Sequence, residues 1–214
     1  MFVYTLELQN DSFSYSGAYN KYLSNERVNK INNYKYDIDK KLSLCSALLT
    51  RMGICELKGL KNKELKFGLS SYGKPYLVND TNFNFNVSHT NSAIICGFNF
   101  KSEIGVDVEK NSNPPFEIMK EYYCSEEINK VLSCDVNQRS EQFYRIWTQK
   151  EAFCKMVGMG LINDLKKIDT ISLSKNGCVL TWIHGCYVYS ISCSGDKKII
   201  HRNLSEKDIY EYYM

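Results

Sequence analysis

The chain has 214 residues, 43% of them hydrophobic and 24% charged, enough for one large domain or two small ones sharing a core, with no need of disulfide staples. A formal net charge of +3 excludes the broad basic stripe of a nucleic-acid binder, yet suits a polyanionic ligand wherever the cations converge. Nine cysteines without a CxxC pair or zinc spacing read as reduced thiols of a cytoplasmic protein, and neither a signal peptide nor a membrane-spanning run is expected.

Phe2, Tyr4, Leu6 and Leu8 alternate with Val3, Thr5 and Glu7, which predicts a first strand. Leu42, Cys45, Leu48, Leu49 and Met52 predict a helix over 39–52, with Gly53 as its stop. Ser71-Tyr72-Gly73-Lys74-Pro75 reads as a loop. Three strands should follow: Phe83, Phe85 and Val87 alternate with Asn84 and Asn86, Ala93 to Phe98 is a nearly unbroken apolar run, and Ile104, Val106 and Val108 alternate with Gly105, Asp107 and Glu109. Helices are expected near 115–132 and 140–157, and strands near 168–173, 178–183 and 187–193, with Asn176-Gly177 as a hairpin turn. The order strand, helix, strands thus occurs twice and breaks near Asn99–Glu103. This predicts an α+β fold of two similar halves, 1–102 and 103–214.

Residues two apart on a strand point the same way, so Asp107 and Glu109 share one face while Ile104, Val106 and Val108 turn to the core. A bound cation would relieve the repulsion between the two carboxylates, and Gly105 on their face leaves room for a ligand. A solvated edge strand explains the same spacing without chemistry. In the predicted helix over 140–157, Phe143, Ile146, Trp147, Phe153, Cys154 and Val157 form an apolar stripe. Glu151 and Lys155 share a face one turn beyond Trp147; a surface ion pair is the plain alternative. Glu126 or Glu127 offers a third acidic site. Lys74 in a tight turn, Ser88-His89 at a strand end, and the scattered Arg27, Lys30, Lys40 and Lys41 supply polar and basic groups. No phosphate-cradling glycine loop, GxSxG elbow or HExxH pair is present. A few carboxylates near several cations suit magnesium, which completes its octahedron with water and substrate phosphates. A phosphate-bearing substrate follows, and the residues by themselves go no further.

GKPYL, FNVSHT, GVDVE and WTQKEAFCKMVGMGL, in this order across residues 73–161, together resemble the signature blocks of the 4′-phosphopantetheinyl transferases, in their longer, two-half, surfactin-type subclass. The resemblance implies a pseudo-dimer of two similar α+β halves with the active site in the cleft between them. It implies transfer of the 4′-phosphopantetheine moiety of coenzyme A to a serine of an apo acyl or peptidyl carrier protein, with release of 3′,5′-ADP. Asp107, Glu109 and Glu151 would hold Mg2+, and Lys155 would contact the reacting phosphate. Glu127 would be the base for the incoming serine, with a metal-bound hydroxide as the alternative. Gly73, Lys74, Pro75, Ser88 and His89 would line the nucleotide end, and Arg27, Lys30 and Lys41 would meet the 3′-phosphate. A cytoplasmic monomer is expected, with no nucleic-acid or membrane partner. Met159 stands where relatives often carry a lysine, which removes one cation near the substrate. Three rival readings are a magnesium-dependent phosphohydrolase or nucleotidyltransferase using the same carboxylates, a non-catalytic module that binds coenzyme A or a carrier protein, and a two-part structural protein with solvated acids. The second predicts loss of a metal ligand or of Lys155, and all four are present.

Overall fold

The computed structural model describes residues 1–9, 17–158, 165–195 and 198–214, so Met159 lies outside the described residues. The fold is α+β. In the first half, strand β1 (Phe2–Glu7) pairs with β5 (Ala93–Asn99), which pairs with β4 (Asn84–Thr90), both antiparallel. Helix α1 (Asn25–Asn32) leads into the long helix α2 (Asp37–Lys58), and a small hairpin of β2 (Phe67–Leu69) and β3 (Pro75–Leu77) precedes β4. Leu42, Cys45, Leu48, Leu49 and Met52 of α2 bury against Tyr4, Leu6, Phe85 and Phe98, the cluster that the apolar periodicity called for.

Gly53 does not stop α2. It lies inside the helix, where a Cβ would come within 2.3 Å of the Phe98 ring, so its role is close packing of helix on sheet. The helix ends instead at Gly59, whose φ of 67° provides the left-handed cap.

The second half holds a three-stranded antiparallel sheet in the order β6 (Ile104–Lys110), β8 (Tyr187–Cys193), β7 (Val179–His184). Helix α5 (Arg139–Val157) covers one face of it. The opposite face, through Ile104, Val106, Val108, Tyr189 and Ile191, packs in one cluster with Val3, Ala93 and Ile95 of the first sheet. Helix, sheet, sheet and helix therefore stack in four layers, and each half is a sheet backed by one long helix.

Four local expectations are corrected. The single helix expected near 115–132 is broken into α3 (Met119–Tyr122) and α4 (Ser125–Leu132). Tyr123 between them is extended and fully buried, stacks on Phe143 and donates its hydroxyl to the Phe143 carbonyl at 2.8 Å. The strand expected at 168–173 is instead helix α6 (Thr170–Lys175), because the Asp169 carboxylate caps it by accepting from the Ile171 and Ser172 amides. Asn176-Gly177 closes that helix, and the hairpin turn lies at Gly185-Cys186, between β7 and β8. The second half also does not keep the chain to residue 214. Strand β9 (Ile200–Leu204) runs parallel beside β1, and helix α7 (Glu206–Tyr213) packs on α2, where Leu204, Ile209 and Tyr213 join the first core. No described helix is long and apolar enough to cross a membrane.

Candidate active site

Strands β4 and β6 are the facing edges of the two sheets, and side chains stitch them together. The Val106 amide donates to Asn86 Oδ1 at 2.9 Å, the Ser88 hydroxyl donates to Asp107 Oδ1 at 2.8 Å, and the Thr90 hydroxyl donates to Glu109 Oε2 at 3.2 Å. The alternation that turns Ile104, Val106 and Val108 inward turns Asp107 and Glu109 toward α5, as the two-residue spacing requires. The space at Gly105 is taken by protein. A Cβ there would fall 2.0 Å from the Ala152 carbonyl and 2.3 Å from the Met156 amide, so the glycine admits the α5 backbone and not a ligand.

The approach of α5 brings Lys155 to Asp107. Its Nζ lies 2.6 Å from Asp107 Oδ1 and 2.9 Å from Ser88 Oγ. Lys155 thus serves the carboxylate on the strand, not its helical neighbour Glu151 as the i,i+4 spacing suggested. Asp107 is only 4% exposed, and its Oδ2 is buried with no hydrogen-bond partner among the described residues. Burial raises its pKa despite Lys155. Burial also pushes Glu109 up to about 7, with the charge of Asp107 adding to it, and the same two causes raise Glu151. Three carboxylates from one strand and one helix therefore feel each other's charge.

A cleft of about 350 Å³ opens beside this cluster. Tyr72, Gly73, Lys74, Pro75, Asn86 and Val87 line it from the first half, and Glu151, Cys154, Lys155 and Gly158 from the second. Lys74 Nζ is held at its rim by Glu103 (2.6 Å) and the Met156 carbonyl (3.2 Å). Ser88 sits with the carboxylates instead of with the hairpin turn. His89 is exposed near the end of β4, on the same side of the strand as Phe85 and Val87; lost hydration at its ring, then the charges of Arg27, Lys155 and Lys30, hold its pKa below the usual histidine value. Arg27 and Lys30 of helix α1 thus lie within electrostatic range of His89, as do Lys155 and, with the opposite sign, Asp39.

Two expected residues are elsewhere. Lys41 is buried, pairs with Glu206 at 2.8 Å and donates to the Gln9 carbonyl, so it docks α7 on α2. Glu127 is 0% exposed and has both oxygens occupied. Oε1 accepts from the Thr170 amide and hydroxyl; Oε2 accepts from the Cys124 amide and pairs with Lys150 at 2.8 Å. A base must reach the proton it takes, and Glu127 reaches no solvent. It is a buried structural partner of Lys150, not the base. Lys150 itself went unnoticed, although it falls four residues after Ile146 and four before Cys154, on the buried stripe. Asn86 and Thr90 also escaped notice; the polar side of the FNFNVSHT alternation was the available signal.

Among the described residues no three His, Cys, Asp or Glu side chains close into a ready metal cage. The donor set still fits a hard cation that takes few protein ligands. It is all carboxylate, its members repel one another, and the orphaned Asp107 Oδ2 lacks a partner that a cation would supply.

The sequence model described as the 4′-phosphopantetheinyl transferase superfamily matches residues 103–205, and that described as 4′-phosphopantetheinyl transferase, N-terminal, matches 12–97. The chain is similar to 4′-phosphopantetheinyl transferase Sfp of Bacillus subtilis, 30% identical over 65% of this chain and 62% of that protein. It is also similar to the L-aminoadipate-semialdehyde dehydrogenase-phosphopantetheinyl transferases of Rattus norvegicus (29%) and Homo sapiens (27%), each over 67% of this chain and 51% of theirs. The matched region spans less than two thirds of each of these relatives. The crystal structure of Thermotoga maritima holo-acyl-carrier-protein synthase aligns at a TM-score of 0.31 and 19% identity, over 42% of this chain and 61% of that one, too low a score to inform the fold.

Proposed function

We propose that the chain is a member of the 4′-phosphopantetheinyl transferase superfamily, whose two models match residues 12–97 and 103–205, and that it moves the 4′-phosphopantetheine moiety of coenzyme A onto a serine of an apo acyl or peptidyl carrier protein, as a cytoplasmic monomer. The observation that carries this reading is Glu151 and Lys155 on the wall of a cleft shared by both halves, with Asp107, paired to Lys155, and Glu109 clustered beside it.

The serine oxygen forms a bond to the β-phosphorus, and the bond from that phosphorus to the bridging oxygen breaks, releasing 3′,5′-ADP. Asp107, Glu109 and Glu151 would hold magnesium, which when bound supplies charge neutralisation on the phosphate oxygens. The protein's own task is positioning and electrostatics. Lys155 points its ammonium at the same place and offsets negative charge on the reacting phosphate. Glu151 faces the cleft with a raised pKa, and with Glu127 buried it is the carboxylate placed to take the serine proton, directly or through one water. Gly73, Lys74 and Pro75 form the wall for the nucleotide end, and Arg27 and Lys30 supply positive charge for its 3′-phosphate, with the His89 ring beside them.

The test is intact mass spectrometry of apo carrier proteins incubated with this protein, coenzyme A and magnesium. The expected result is a mass gain of one phosphopantetheinyl arm, abolished by chelator and by Asp107→Ala. Hydrolysis of nucleotides without any carrier would favour a phosphohydrolase. Coenzyme A binding with no mass gain on any carrier would favour a binding module.

A further inference from the structure

The two sheets meet at β4 and β6, where Asn86 accepts from the Val106 amide and the Ser88 and Thr90 hydroxyls end on the carboxylates. Ser88 takes one oxygen of Asp107, and Thr90 takes one oxygen of Glu109. Both hydroxyls come from the first half, while both carboxylates belong to the second.

Thr90 is well fixed for such a task. It pairs with Ala93 at the end of β4, directly before a two-residue turn in which Asn91 adopts a positive φ of 47°. The next residue, Ser92, is hydrogen-bonded to the Tyr187 hydroxyl of β8 at 2.7 Å, so the turn is tied to the second sheet. The Thr90 hydroxyl has one hydrogen and two acceptors at 3.2 Å, Glu109 Oε2 and Asn91 Oδ1. An ionised carboxylate is the stronger acceptor. A carboxylate held through one oxygen keeps the other for a different partner.

We propose that Thr90 is a positioning residue that orients the Glu109 carboxylate for the divalent cation, so that the first half sets the cation affinity of a ligand pair carried by the second. This rests on the magnesium reading of Asp107, Glu109 and Glu151. Partners of metal-ligating carboxylates commonly change affinity when removed, by about 10- to 100-fold. The isosteric Thr90→Val removes only the hydroxyl; Thr90→Ser keeps it.

The experiment is Mn2+ binding to the full chain at saturating coenzyme A, followed by electron paramagnetic resonance of free Mn2+, with thermal melting of each metal-free variant beside it. Thr90→Val is expected to weaken Mn2+ binding by about tenfold or more, while Thr90→Ser keeps nearly wild-type affinity. In a Glu109→Gln background Thr90→Val should add no further loss, because the hydroxyl acts through that carboxylate. Should Thr90→Val melt early, Thr90→Ala and the Glu109→Gln pair carry the comparison. Wild-type affinity in Thr90→Val, or an equal loss in Thr90→Ser, overturns the positioning role and leaves the magnesium reading intact. No Mn2+ binding by the wild-type chain overturns the magnesium reading itself and the positioning role with it.

Discussion

Replacing Glu127 with glutamine separates an interior strut from a catalytic base. Lys150 is 0% exposed, and its ammonium reaches Glu127 Oε2 at 2.8 Å, the Leu165 carbonyl at 2.9 Å and the Ile168 carbonyl at 2.6 Å, over the Tyr123 ring. Only Glu127 offsets its charge in this set. In Glu127→Gln the amide oxygen can face the two Thr170 donors, but the amide nitrogen then faces the Lys150 ammonium and the Cys124 amide, donor against donor. An uncompensated buried charge costs about 3–5 kcal/mol. For a chain of this size that lowers the melting temperature by about 6–20 °C. Transfer assayed well below the melt should stay near the wild-type rate, because Glu127 reaches neither solvent nor the cleft. The double variant Glu127→Gln/Lys150→Met should recover part of the lost stability, since it removes the stranded charge. Melting that stays at the wild-type temperature, together with a transfer rate reduced about a hundredfold or more, would refute the strut and restore Glu127 as a base.

Glu109 predicts a pH dependence with a definite sign. Its pKa is raised from 4.5 to about 7, so the folded, metal-free protein binds this proton more tightly than the unfolded chain does. That contribution to stability is complete below about 4.5 and is lost as pH rises through about 7, while cation binding, which must displace the proton, strengthens over the same interval. Calorimetric melting and Mn2+ titration between pH 5 and 8 check both trends; a cation affinity flat across that range would count against Glu109 as a ligand. Gly105→Ala should cost about 3 kcal/mol or more and displace α5 from β6, because the new methyl meets helix backbone that cannot yield locally; an unchanged melt would show that the contact is looser. Trp147→Ala should cost about 2 kcal/mol, below the ~3–5 of a fully buried ring, since the indole is half-buried between Phe143 and Tyr122. Urea unfolding measures that loss, and a full core-sized value would mean that the ring is more deeply packed.

Local pattern was legible wherever the physics is local. Alternation located β1, β4 and β6 and aimed Asp107 and Glu109 at one face, because strand pleat alone decides which side a residue takes. Helical spacing located α2 and α5 and placed Glu151 and Lys155 on one side of α5. Boundaries failed where a distant contact overrode propensity: Phe98 lets α2 continue past Gly53, and Phe143 holds Tyr123 extended between α3 and α4. The partner of each charge was likewise invisible. Lys155 turned to Asp107, Lys41 to Glu206 and Glu127 to Lys150, all far apart in the chain, and only the folded packing brings them together. Sequence by itself thus determined which residue types share a face and hence the class of chemistry available. Tertiary structure decided which of those charges remain at the cleft and which are consumed in the interior, because a carboxylate's pairing and hydration depend on neighbours that local spacing does not encode.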